Sequence, residues 1–177
     1  LIDNRSPHAN IPKTGNLFVY GEKNIWEGWT VYSACTGRPV NRVWNMTTDS
    51  NGAVWIASGP AEKFDPASGA WSFYDSTNSA ITNNKATDIL EDHLGNIWIA
   101  LDEEGAVATF DGNSWSSINP DNIHVLSIFE DSGHNLWFGT WDHGVRKYNP
   151  DTEVWETYTV ENSGLASNII YKDGIME

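Results

Sequence analysis

A tryptophan in a nearly constant setting recurs three times along this chain. Trp55, Trp98 and Trp137 each follow a turn that begins with Asp and contains Gly, and each lies inside a short apolar run. The first two are 43 residues apart and the last two are 39 residues apart. A period of about 40–50 residues indicates an array of repeated supersecondary units. The sequence therefore predicts a repeat protein.

Each repeat divides into four short β-rich runs separated by clusters of Gly, Asn, Asp and Pro. In the repeat that contains Trp137, these runs are 126–131, 136–140, 145–148 and 154–159. Such spacing is typical of consecutive hairpins, and four antiparallel strands form one blade of a β-propeller. We therefore predict an all-β propeller with four-stranded antiparallel blades at 43–75, 86–118 and 124–160.

The ends of the chain predict a fourth blade that is split between them. After an irregular segment over 1–16, the segment 17–32 reads as a third and a fourth strand, and 168–173 reads as a first strand. Closing a ring in this way protects edge strands. Three arrangements remain open: a four-blade ring in one chain, a larger ring completed by a second chain, and a piece of a longer propeller. We expect a homodimer that completes a larger ring.

The charge of the chain narrows the classes of partner. The 177 residues include 24 acidic and 10 basic side chains, for a net charge of −14. A nucleic acid requires clusters of Lys and Arg, so we expect no nucleic-acid partner. An anionic membrane surface is disfavoured for the same reason, and no apolar run reaches the roughly 18–20 residues of a membrane span. The negative charge is compatible with neutral or cationic ligands. Alternatively, its only function is to keep the protein soluble.

The recurring Asp-x-x-Gly element has a metal interpretation and a structural one. Asp side chains suit calcium, but each copy offers only one or two carboxylates. The structural interpretation is that Asp caps its own turn while Gly or Asn adopts positive φ. In the third copy the Gly moves to position 133, followed by His134 and Asn135, which a metal cage would not tolerate easily. We expect structural turns and no metal site.

The loops that join second to third strands, and fourth to next first strands, gather at one end of a propeller. Trp141 breaks the repeat pattern and lies in such a loop, where it can stack on a sugar or an aromatic ligand, or simply cover a neighbouring blade. Polar and acidic residues from different blades join it there, which is typical of a ligand site, although solvated loops would look similar. The predicted ligand-binding residues are Trp141, Asp142, His143, Asp102, Glu103, Glu104, His124, Arg38 and Asn83.

Catalysis has little support in the sequence. There is no Gly-x-Ser-x-Gly, no His-Glu-x-x-His and no phosphate-binding loop. The five histidines are scattered, and no two share metal-ligand spacing on one element. We therefore predict no catalytic residues and no cofactor, and expect a protein that is not an enzyme.

The assembled motif resembles the two-component regulator propeller repeat, found in the sensor regions of bacterial hybrid histidine kinases and related periplasmic proteins. The best copy runs from Ile128 to Pro150, with Leu-Trp-Phe-Gly-Thr at 136–140 and Gly-Val-Arg-Lys-Tyr-Asn-Pro at 144–150. The resemblance implies a periplasmic or extracellular module that binds a small molecule, often an oligosaccharide, or a partner. The repeat is also similar to that of streptogramin lyases, which use a loop His and magnesium, but their Trp-Phe-Thr-Glu segment is missing here. A pure assembly scaffold is the third alternative.

Overall fold

The computed structural model describes residues 16–19, 30–33, 43–102, 107–118 and 123–171. The chain divides into two compact units, Leu1–Asn41 and Arg42–Glu177. In the first unit, β1 (Asn16–Val19) pairs antiparallel with β2 (Thr30–Ser33). The described ranges contain no helix that is long and apolar enough to cross a membrane.

The second unit contains three four-stranded antiparallel sheets, which we call the first, second and third blades. The first blade consists of β3 (Asn45–Thr48), β4 (Val54–Ala57), β5 (Ala61–Asp65) and β6 (Ala70–Tyr74). The second consists of β7 (Ala86–Glu91), β8 (Ile97–Leu101), β9 (Val107–Phe110) and β10 (Trp115–Ile118). The third consists of β11 (Val125–Glu130), β12 (Leu136–Thr140), β13 (Val145–Asn149) and β14 (Val154–Tyr158).

This architecture confirms the predicted all-β fold of four-stranded antiparallel blades. In every blade the strands lie in the order in which they occur in the chain, as expected for consecutive hairpins. The split fourth blade stays a prediction. Residues 168–171 form no strand, 172–173 lie outside the described residues, and so do 1–15 and the segment 20–29 between β1 and β2.

The first strands of the three blades lie side by side, because β7 contacts both β3 and β11. The buried carboxylate of Asp88 on β7 links all three strands. It accepts a hydrogen bond from the Ile128 backbone N–H on β11 at 2.9 Å and another from Asn45 Nδ2 on β3. Both β7 and β11 carry a register shift at the same place, between Ala86 and Asp88 and between Val125 and Ser127. The blades are therefore structural copies joined along their innermost strands.

Hydrophobic residues fill the two spaces between neighbouring blades. Between the first and second blades, the fully buried Trp55 stacks on Tyr74 of its own blade at 5.4 Å, measured between ring centroids. It also lies 6.0 Å from Phe110 of the next blade. Trp98 fills the second space in the same way, against Phe138 of the third blade. Trp55 and Trp98 thus pack between blades, where a buried large apolar side chain contributes roughly 1.5–3 kcal/mol.

Each repeated Asp closes its turn and also holds the following tryptophan. Asp131 Oδ1 accepts hydrogen bonds from the backbone N–H groups of Gly133 and Asn135, both at 2.9 Å. Its Oδ2 accepts the indole N–H of Trp137 at 2.7 Å. The pairs Asp49–Trp55 and Asp92–Trp98 repeat this bond at 2.9 and 2.8 Å. The structural interpretation of the Asp-x-x-Gly element is therefore confirmed, with a function for the Asp that the spacing did not predict.

These hydrogen bonds favour the ionised carboxylates. At Asp49, burial opposes ionisation, but the bonds from the Trp55 indole and the Ala53 amide, together with the Lys63 ammonium, outweigh it. The pKa of Asp49 is therefore held below its usual value, and the pKa of Asp131 is lowered in the same way despite its burial. Both carboxylates stay charged at neutral pH, which keeps the Asp–Trp bonds charge-assisted and short.

The third turn departs from the prediction that Gly or Asn adopts the positive φ. Gly52 and Gly95 have φ of 84° and 87° in the first two copies, but His134 occupies this position in the third, at 62°. Gly133 precedes it without taking over that conformation. The turn keeps its shape because Asp131 still binds two of its N–H groups, so the capping carboxylate rather than the glycine fixes the geometry.

Candidate functional site

Six of the nine predicted ligand-binding residues lie in the described part of the chain, whereas Arg38, Glu103 and Glu104 lie outside it. All six follow a second strand, or precede a first strand, of the second and third blades. Antiparallel order places these positions at the same end of the two sheets. The six residues are Asn83, Asp102, His124, Trp141, Asp142 and His143.

Three of them form one hydrogen-bonded group across the two blades. Asn83 Nδ2 donates to the Asp102 carbonyl oxygen at 2.6 Å, and the Asp102 N–H donates to the Lys85 carbonyl at 3.0 Å. His124 Nδ1 lies 3.1 Å from Asp102 Oδ1. The side chains of His124 and Asp102 are about one-third exposed, at 37% and 36%. The pair therefore presents a fixed imidazole and a fixed carboxylate to solvent.

Trp141 is held next to this group by its backbone while its ring stays accessible. Its N–H donates to the His124 carbonyl at 3.1 Å, and 46% of the residue is exposed. The ring meets Tyr171 edge to face, with centroids 5.8 Å apart. An exposed, oriented indole beside polar groups is a suitable platform for a sugar or an aromatic ring.

The loop that carries Trp141 is anchored by the buried Thr140. The Thr140 hydroxyl donates to the Gly144 carbonyl at 2.8 Å and accepts the His143 N–H at 2.9 Å. The Gly144 N–H donates to the Asn168 carbonyl at 2.8 Å. These bonds fix both ends of a three-residue loop, so Trp141 needs little ordering when a ligand binds.

Asp142 and His143 lie in the same loop and pair with each other. His143 Nδ1 lies 2.5 Å from Asp142 Oδ1, and both side chains are well exposed, at 46% and 60% for His143 and Asp142. This pair extends the polar surface next to Trp141. Both side chains are exposed, so they are available for contacts with a ligand.

A second group of polar residues, which the sequence did not predict, lies at the opposite end of the same two blades. His93, Glu130 and His134 bring one ligand atom each to within 4.8 Å of one another. No local pattern relates the two histidines, because His93 lies 41 positions before His134 and 37 before Glu130. An alignment of the repeats would have indicated that His93 and His134 are close in space, because residues about one repeat period apart lie in neighbouring blades.

Comparisons with known proteins agree with this geometry. Residues 112–142 match the family model of the two component regulator propeller. The match includes Asp131, Trp137 and Trp141, and it confirms the resemblance for that stretch. No curated protein is significantly similar in sequence to this chain.

Solved structures share the fold at low sequence identity. The extracellular domain assigned to a hybrid two-component system of B. thetaiotaomicron gives a TM-score of 0.60, with 23% identity over 73% of this chain and 19% of that one. The extracellular domain assigned to a one-component system of the same organism gives 0.68, with 18% identity over 89% and 22%. The chain thus spans about a fifth of these relatives.

An enzyme also shares the fold. A catalytically inactive variant of virginiamycin B lyase from Staphylococcus aureus, solved with quinupristin, gives a TM-score of 0.61. Its identity is 17%, over 82% of this chain and 55% of the lyase. At such identities the likeness establishes the propeller fold alone, and the site must decide the function.

Proposed function

We propose that this chain is an extracellular or periplasmic propeller module that binds a neutral oligosaccharide at the end of the second and third blades where Trp141 lies. The observation that supports this most directly is the exposed Trp141 indole, fixed by its backbone beside the His124–Asp102 pair. A sugar needs one apolar face for stacking and several polar groups for its hydroxyls, and this surface offers both.

The charge of the chain and its relatives support the same proposal. A net charge of −14 repels anionic ligands but not a neutral sugar. The similar structures from B. thetaiotaomicron are extracellular domains assigned to a hybrid two-component system and a one-component system. A sensor domain signals because its ligand binds with different affinity to two states of the protein. The binding step itself can be measured on this module alone.

We expect replacement of Trp141 by alanine to weaken oligosaccharide binding about 10- to 100-fold, as for a central aromatic contact. Binding is first detected on a glycan array and then measured by calorimetry with the best ligand. Leu94→Ala is the matched control, because Leu94 is 69% exposed in the turn at the opposite end of the second blade. Equal affinity of wild type and Trp141→Ala, or an equal loss in both variants, would contradict the proposal.

A lyase activity is the second candidate, and the His124–Asp102 pair is the observation that favours it. A carboxylate 3.1 Å from an imidazole nitrogen orients a general base. Magnesium-dependent cleavage of a streptogramin that is lost in His124→Ala, but kept in Leu94→Ala, would establish this activity. Absence of cleavage in wild type would leave the binding function.

We further propose that the blades described here form part of a larger ring, completed by a second copy or by more of a longer chain. Apolar residues are exposed just before β3 of the first blade and after the third blade, including Trp44 at 50% and Tyr171 at 58%. Covering such residues with another blade would remove apolar surface from water. The solution mass distinguishes a homodimer from a monomer.

A further inference from the structure

The group formed by His93, Glu130 and His134 joins two blades. His93 lies in the turn after β7, Glu130 ends β11, and His134 lies in the turn after β11. His93 Nδ1 is 2.5 Å from Glu130 Oε1, and His134 Nδ1 is 3.2 Å from the same oxygen. The two imidazole rings stack with centroids 3.6 Å apart. Three ligand-type groups from two sheets therefore converge on one point.

The junction between the first and second blades shows which part of this group is structural. There Glu91, the counterpart of Glu130, accepts the Ser50 N–H at 2.7 Å and the Ser50 hydroxyl at 2.8 Å. Glu130 likewise accepts the His93 N–H, at 2.9 Å. The glutamate is thus a repeated bridge between blades. The two histidines are additional, because the first junction has Ser50 in place of His93.

His134 occupies a position where the other two repeats have glycine. Gly52 and Gly95 adopt positive φ without cost, whereas a side chain in this region costs about 1–2 kcal/mol. His134 adopts it at 62° and directs its ring onto His93 and Glu130. A costly residue that completes a convergent set of ligand groups indicates a binding function at this point.

We propose that His93, Glu130 and His134 bind one divalent transition-metal ion of the zinc class, which then fastens the second blade to the third. Imidazole nitrogen and carboxylate oxygen are ligands that zinc, nickel and copper prefer, whereas calcium and magnesium prefer oxygen alone. Three protein ligands leave one tetrahedral position for water. Each imidazole binds the ion through Nδ1 as the neutral tautomer that carries its proton on Nε2, and Glu130 binds through a carboxylate oxygen.

The geometry allows this exchange with small movements. Ligand atoms that surround zinc at roughly 2.0–2.2 Å lie about 3–4 Å apart, and the present set lies within 4.8 Å. The side chains of His93 and His134 are 32% and 54% exposed, so both rings can rotate. Glu130 is only 14% exposed and is held by its bond to the His93 N–H, so it supplies a fixed ligand.

The test is titration of the purified chain with zinc chloride, followed by calorimetry and by the melting temperature. Wild type is expected to bind one ion per chain and to melt at a higher temperature with zinc. His93→Ser and His134→Gly recreate residues of the other junctions and are expected to fold normally. Each removes a ligand, so zinc affinity is expected to fall more than the 10- to 100-fold that loss of an outer-shell partner costs.

His143→Ser is the control for adventitious binding, because His143 forms an exposed pair with Asp142 at the other end of the blades. It is expected to keep the zinc affinity of wild type. The proposal is wrong if wild type binds no zinc, if His93→Ser and His134→Gly bind it as tightly as wild type does, or if His143→Ser abolishes binding. Urea denaturation without metal verifies that both ligand variants are folded.

Discussion

Replacing Asp88 with alanine is expected to lower the free energy of unfolding by about 3–5 kcal/mol, because several buried N–H donors lose their acceptor at roughly 1–3 kcal/mol each. The Asp88 side chain is buried and links the first strands of all three blades. Alanine would leave the Ile128 N–H and the Asn45 amide without their acceptor. It would also remove the bond from the Ile89 N–H at 2.9 Å. Chemical denaturation of the two proteins measures the difference.

Asp88→Asn is the matched control, because it keeps the size of the side chain and one acceptor oxygen. With the amide nitrogen in place of Oδ1, the Asn45 amide can rotate by half a turn and accept a hydrogen bond from it, the Ile128 N–H keeps its acceptor, and only the Ile89 N–H loses one. We therefore expect the asparagine variant to lose less than half of what the alanine variant loses. A loss below about 1 kcal/mol for Asp88→Ala, within the ordinary range of surface changes, would show that the first strands do not depend on this carboxylate.

Replacing Gly144 with alanine is expected to cost about 3 kcal/mol and to weaken ligand binding. Gly144 has φ of 72°, which costs a side chain about 1–2 kcal/mol. A Cβ at this position would lie 2.0 Å from the Tyr158 carbonyl oxygen, so β14 would have to move, at about 1–3 kcal/mol more. Because Gly144 also closes the Trp141 loop through Thr140, the displacement would disturb the candidate site.

Gly69→Ala separates the two contributions. Gly69 has nearly the same φ, 73°, but a Cβ there meets nothing within 4 Å. Replacing Gly69 with alanine is expected to lower the free energy of unfolding only by the cost of placing a side chain at positive φ, about 1–2 kcal/mol. Ligand binding is expected to be unchanged. Thermal and chemical denaturation of both variants measure the difference. Equal losses would show that the backbone around Tyr158 accommodates the added methyl group, contrary to this interpretation.

The sequence predicted the blades well because their strands are set by local patterns. In the third blade, the run predicted at 136–140 is β12 with the same bounds, and the other three predicted runs differ from β11, β13 and β14 by no more than one residue at either end. Turn residues delimit them, and the apolar run around each repeated tryptophan marks the second strand of each blade. The tertiary environment did not override these signals, because each hairpin forms between consecutive segments.

The partners of the polar contacts between blades were not predicted, since these contacts join residues about 40 positions apart that no local pattern relates. Nothing in the sequence distinguishes Asp88 from other strand residues, yet its side chain is buried between β3 and β11, the first strands of the neighbouring blades. The hydrogen bond from the Trp137 indole to Asp131 was also not predicted, because residues six positions apart in a β-hairpin are not expected to be in contact from the strand pattern alone. Three of the predicted site residues, Asn83, Asp102 and His124, lie in contact because loop topology brings them to one end, while their ligand-binding function stays a prediction.

Hydrogen exchange of the tryptophan indole protons, measured by NMR spectroscopy, tests most directly whether the three blades are copies locked by their Asp–Trp pairs. The indole protons of Trp55, Trp98 and Trp137 are expected to exchange slowly, since each is bonded to a carboxylate. Asp131→Ala should abolish the protection of Trp137 while that of Trp55 persists. Exchange at the rate of a free indole in all three, or protection of Trp137 that survives Asp131→Ala, would contradict the repeated fold described here.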